Sequence, residues 1–178
     1  MIRTKQPWAV PIRAEDVPQS GRRVELHADE STRAAVAAMA GVNGVARLDA
    51  TFDLTRVGRD GLHVVGGVSA TVRQTCVVTL EPLANEVSET VDLLFASGDD
   101  GAGEGPVAPD LANSPERMVG GTVDLGAVAT EFLILGIDPY PRRPGAVFEA
   151  SDKEPGDMPF AALAALKKNE GGSGGSGR

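Results

Sequence analysis

From Ala46 to Thr55 apolar and polar residues alternate without a break. Ala46, Leu48, Ala50, Phe52 and Leu54 are set against Arg47, Asp49, Thr51, Asp53 and Thr55. A period of two sends one set to a buried face and the other into water, the pattern of a half-buried strand. Gly58-Arg59-Asp60-Gly61 reads as a hairpin turn, and Leu62, Val64, Val68, Ala70 and Val72 carry the alternation back. Gly66-Gly67 in the middle of that partner predicts a bulge or a sharp bend. Val87, Val91, Leu93 and Phe95 give a third long strand, so the three strands read as an antiparallel meander. Two shorter candidates precede them. Trp8, Val10 and Ile12 alternate, with Pro7 and Pro11 confining them to an edge, and Arg22–His27 forms the other.

Helical spacing appears in three places. Asp29–Ala40 has a capping aspartate at its start and Gly41 just past its end, with Val36, Met39 and Ala40 on one face. Val123–Leu135 has Asp124 as its cap and Leu125, Val128, Ala129, Phe132 and Leu135 as an apolar stripe. It stops before Asp138-Pro139, because proline disfavours helix at the residue preceding it. Pro159–Lys168 is a short helix with proline in its first turn and lysines at its end. Between Ser97 and Pro115 no apolar period survives, and Asp99, Asp100, Glu104 and Asp110 stand there without a base. That stretch reads as a mobile acidic loop. The expected fold is α+β: a curved antiparallel β-sheet, with barrel-like closure left open, packed with two main helices and a short C-terminal one. Residues 1–168 are expected to form one domain with the loop at 97–115, and 169–178 a flexible Gly/Ser tail.

Composition narrows the chemistry. Seven residues are aromatic (5 Phe, 1 Trp, 1 Tyr), so valine, leucine and alanine must fill most of the core. The single cysteine excludes an internal disulfide framework and any paired-cysteine zinc site. Two histidines, His27 and His63, leave few ligands for a catalytic transition metal. No stretch approaches 18 apolar residues, and the first residues lack the apolar core of a secretion signal, so a cytoplasmic location without membrane contact is expected. The net charge of −8 argues against wholesale phosphate neutralisation, and no DNA binding is expected. A nucleophilic Cys76 would need a base to form thiolate. His63 lies at the far end of the same strand, roughly 40 Å away if the strand is unbent. Cys76 therefore reads as a small buried apolar residue, with a thiol-dependent or hydrolytic enzyme as the alternative. No cofactor and no metal are expected.

The order of segments carries a family resemblance. Cys76-Val77-Val78-Thr79-Leu80-Glu81-Pro82 closes one strand and precedes the next. Asp124-Leu125 then opens a helix containing Glu131, and Asp138-Pro139-Tyr140-Pro141-Arg142 and Pro159-Phe160-Ala161-Ala162-Leu163 follow. This order resembles the YceD family, proteins linked to accumulation of the large-subunit ribosomal RNA, in the form seen in alphaproteobacteria. Many members carry C-x-R-C-L-x-P and a second cysteine pair. Here Thr79 takes the place of the first pair's second cysteine and the other pair is missing, so any zinc site suggested for cysteine-rich members cannot be built within this chain. The resemblance implies a non-enzymatic accessory role in large-subunit biogenesis, by binding a ribosomal protein or ribosomal RNA. RNA contact would use the basic start (Arg3, Lys5, Arg13, Arg22 and Arg23) with Trp8 for stacking, and Arg142 and Arg143 as a second patch. A basic ribosomal protein would instead meet the acidic surface. Arg73, Glu81, Glu131 and Tyr140 complete the set of candidate partner contacts.

Overall fold

The computed structural model describes residues 6–58, 60–97 and 115–148. The chain divides into two compact units, 1–144 and 145–178. The fold described below is that of the first. Arg3, Lys5, most of the acidic stretch, the helix expected at 159–168 and the Gly/Ser tail lie outside the described residues.

Among the described residues, seven strands, two α-helices and one 3-10 turn follow one another as β1 (Pro11–Arg13), the 3-10 turn Ala14–Asp16, β2 (Arg22–His27), α1 (Glu30–Ala40), β3 (Gly44–Val57), β4 (Gly61–Thr75), β5 (Pro82–Ser97), β6 (Glu116–Met118), β7 (Thr122–Asp124) and α2 (Leu125–Gly136). The three long strands predicted by the period of two are β3, β4 and β5, paired antiparallel as a meander. Two flanking strands extend it to the order β2-β3-β4-β5-β6, β6 running parallel to β5. A separate pair, β1 and β7, stands beside this sheet, which stays open and does not close into a barrel.

The fine register departs from the sequence pattern in one instructive way. The irregularity lies between Val45 and Arg47, and the pairing passes through Gly66-Gly67 without a shift on either side. The extra residue at the bulge exchanges the two faces, so Val45 is buried and Ala46 exposed. Gly66 serves close approach instead: a Cβ there would stand 2.0 Å from the Thr51 carbonyl oxygen. Beyond the bulge the alternation holds, and Leu48, Phe52, Leu54, Leu62, Val64, Val68 and Val72 form the buried face.

Both helices begin as their caps dictate. Asp29 accepts a bond from the Thr32 N–H at 2.7 Å, which also holds its carboxyl below the usual carboxylate range, and Gly41 ends α1 at φ 67. Asp124 accepts from Gly126 and Ala127 and, at 2.7 Å, from the Val10 N–H far away in sequence. The buried faces are rotated from the predicted stripes. α1 buries Val36 and Ala37 and leaves Met39 exposed; α2 buries Leu125, Val128, Ala129 and Leu133 and leaves Leu135 exposed. Both stripes contained more apolar residues than the rest of the fold covers. No helix among the described residues is long and apolar enough to cross a membrane.

Candidate functional site: the Cys76 turn and its strap

β4 and β5 are joined by the six residues Cys76–Glu81, closed at the base by the pair Thr75 and Pro82. Proline suits that position because it opens the strand and has no N–H to offer. The Cys76 N–H donates to the Glu81 carbonyl at 2.9 Å, and the Leu80 N–H donates to the Cys76 carbonyl at 2.9 Å. These bonds hold Leu80 at φ 58, the left-handed region that a branched side chain seldom enters. Backbone strain of this kind costs on the order of 1–3 kcal/mol and persists only where the surroundings enforce it. The result is an outward-pointing leucine, 77% exposed, on a rigid base, with Val77 and Tyr140 also exposed.

The base is rigid because a second segment crosses it. After α2 the chain turns at Asp138, whose carboxylate accepts from the Tyr140 N–H at 2.8 Å. Pro141 is buried, and its carbonyl accepts from the Val77 N–H at 2.9 Å. Gln74, buried at the end of β4, donates to the Asp138 carbonyl at 2.8 Å and accepts from the Asn85 amide at 2.8 Å. The Arg143 guanidinium pairs with the Glu81 carboxylate and holds it below the usual carboxylate range. The Arg143 N–H reaches the Cys76 sulfur at 3.4 Å, as does the Thr79 N–H.

The sulfur is closed to solvent. The Thr79 hydroxyl, then the Arg143 and Thr79 N–H groups, stabilise its charged form and bring the thiol down from 9.0 to about 6, with burial opposing them. Cys76 thus ties turn to strap through hydrogen bonds. A paired-cysteine zinc site does not fit these residues. There is one sulfur, its neighbours are N–H donors, and no group of three or more His, Cys, Asp or Glu that could hold a metal stands together among the described residues. Neither imidazole is free to serve the thiol: His27 is engaged by Asp49 at 2.8 Å and His63 by Asp92 at 2.7 Å, both on the wet face of the sheet.

Of the residues singled out from sequence, Glu81, Tyr140, Arg142 and Arg143 meet at this turn and strap, with Arg73 exposed at the end of β4. Among the described residues, the arginines of the basic start are divided between two sheets. Arg13 pairs with Glu15 at 2.7 Å on the two-stranded sheet, whereas Arg22 and Arg23 lie on β2, and Arg23 pairs with Asp53 at 3.1 Å. Trp8 is 7% exposed within the core, so its ring offers no stacking face. Glu131 lines a separate groove on α2 with Met39, Ile134 and Leu135. Sequence reasoning passed over Gln74 and Asn85. Their signal was available, since both sit at inward positions of strands whose inward residues are mostly apolar.

These features define the class: an α+β protein whose sheet carries at one end a rigid, strapped turn with exposed apolar side chains. The sequence model of the family described as "Large ribosomal RNA subunit accumulation protein YceD" matches residues 64–167, more than half of the chain, and the chain belongs to that family. No curated protein and no solved structure matches it. The match includes both the Cys76 turn and its strap, and the family name ties the protein to accumulation of the large ribosomal subunit.

Proposed function

We propose that the protein is a cytoplasmic accessory factor of large-subunit biogenesis that acts by binding, without chemistry of its own, and that the Cys76 turn docks on its partner. One observation carries this: Leu80 is held in a costly conformation, 77% exposed, by a turn that is itself clamped by the 138–143 strap. A protein gains nothing for its own stability from displaying a strained leucine to water, whereas a partner's pocket gains a preorganised anchor. Exposed Tyr140 and Arg142 beside it are residue types that favour protein interfaces. A protein component of the large subunit is therefore favoured over direct RNA contact, as the buried Trp8 and the net charge of −8 also suggest. The lowered thiol is what favours the enzymatic alternative. Against it stand a sulfur closed to solvent and two imidazoles bound elsewhere.

The test is affinity capture of the tagged protein from cell extract, with and without nuclease, at low and high salt. A large-subunit protein retained after nuclease, and lost in Leu80→Asp, is the expected result. RNA retained alone, with a steep salt slope, would move the contact to ribosomal RNA. Unchanged ribosomal subunit profiles in a strain lacking the gene, under cold or slow growth, would end the reading.

A further inference from the structure

β5 is flanked unequally. Against β4 it is paired over its length, from Pro82 to Phe95. On its other side β6 pairs only with Phe95–Ser97, and among the described residues no strand lies beside Leu83–Leu94. Every second residue along that stretch turns its N–H and C=O away from β4, a row about 40 Å long that no described strand pairs. The seated β6 shows that this edge accepts a further strand. Long open edges invite pairing with another chain, and folded proteins guard them with charge.

The charge here has one sign. β5 contains Glu86, Glu89 and Asp92 and neither lysine nor arginine. Glu86 and Asp92 lie on the wet face, where Glu86 meets Arg47 at 3.0 Å and Asp92 meets His63 at 2.7 Å. Glu89 is on the other face, half-buried against the end of α2, where a Cβ on Gly136 would stand 2.5 Å from its carboxylate oxygen. The ion pairs are exposed, and such pairs hold their partners weakly enough to be exchanged. A second copy of β5 would bring acid against acid. An incoming strand with lysine or arginine on both faces would meet carboxylates on both. RNA lacks the alternating amide donors and acceptors that continue a ladder.

We infer that the open Leu83–Leu94 edge of β5 takes up an extended, lysine- and arginine-rich protein segment by strand addition. This rests on reading the chain as a factor that binds large-subunit components, and it names the chemistry of that partner: a basic, unfolded tail rather than a folded surface. The Cys76 turn then adjoins the Pro82 end of the same strand, so a partner can place its tail along β5 and its folded part on Leu80.

The test uses the full chain, isotope-labelled, with synthetic dodecapeptides alternating lysine and threonine, and glutamate-for-lysine versions as controls. Amide hydrogen exchange is read residue by residue. The expected result is fast exchange at alternate residues of 84–94 in the free protein and protection of those amides on adding the basic peptide alone. Glu86→Lys/Asp92→Lys is expected to weaken binding by about tenfold or more with circular dichroism unchanged. Glu86→Gln/Asp92→Gln, a gentler change, is expected to give a smaller loss in the same direction. Slow exchange throughout 84–94 in the free protein would overturn the inference, because the chain's own residues or a second copy would then cover the edge. Equal binding of acidic and basic peptides, or protection outside β5, would overturn it too. If the charge-reversed variant still captures large-subunit components from extract, the edge is excluded while the broader function stands.

Discussion

Leu80 and Cys76 sit four residues apart and act in opposite senses. The backbone of Leu80 is strained, so Leu80→Gly is expected to leave stability unchanged or raise it by up to about 1 kcal/mol, because glycine enters the left-handed region without steric cost. The same change removes the exposed side chain and should weaken partner capture. Urea denaturation beside co-sedimentation with large subunits checks both. A loss of stability well beyond that range would show that the leucine serves the fold. Cys76 accepts the Arg143 N–H of the strap, and its thiol is lowered from 9.0 to about 6. A group whose folded pKa is depressed stabilises fully above its unfolded value and ceases to do so as pH falls through the folded one. The extra stability is therefore complete above pH 9 and declines as pH drops toward 6. Melting temperatures of the wild type minus those of Cys76→Ala should rise from pH 6 to 9. A difference that does not vary with pH would mean the sulfur is protonated in the fold.

At the scale of elements, one residue can hold two of them. Asp124 caps α2 and also accepts the N–H of Val10, next to β1, which β7 pairs with. Asp124→Ala is expected to cost about 2 kcal/mol, the upper end for a lost cap, since it also leaves the half-buried Val10 N–H unpaired. Asp29→Ala loses only a local cap, from an exposed residue, and should cost less. Chemical denaturation of the two variants compares them, and equal losses would show that the bond to Val10 adds nothing. The caps themselves were legible, as both depend on a short-range spacing. The rotation of each buried stripe was not, because Met39 and Leu135 satisfy the helical period as well as the residues that are covered.

At the scale of the molecule, charge matters more for association than for folding. The ion pairs Arg13–Glu15, Arg23–Asp53 and Arg47–Glu86 are all exposed, and pairs of this kind contribute little to stability. Added salt should therefore move the melting temperature little while weakening a complex with a basic partner, since screening acts on the long-range field of a chain of charge −8. Thermal melts and affinity capture at low and at half-molar salt check this. A complex equally tight at both would point to the apolar turn as its main contact.

The meander, the helix caps and the hairpin order were readable in the chain by itself, because they follow from a period of two, a cap spacing and turn residues that act over a few positions. The family resemblance was readable for a related reason: it rests on short motifs in a fixed order. Tertiary structure alone decided how those motifs meet. Cys76 and Arg143 are 67 residues apart, and no local rule says that one's N–H will reach the other's sulfur. The same holds for Trp8, whose ring could equally have faced RNA or the core until α2 and the sheet were in place. Burial and long-range hydrogen bonding are set by what packs against a residue, and that is a property of the assembled fold.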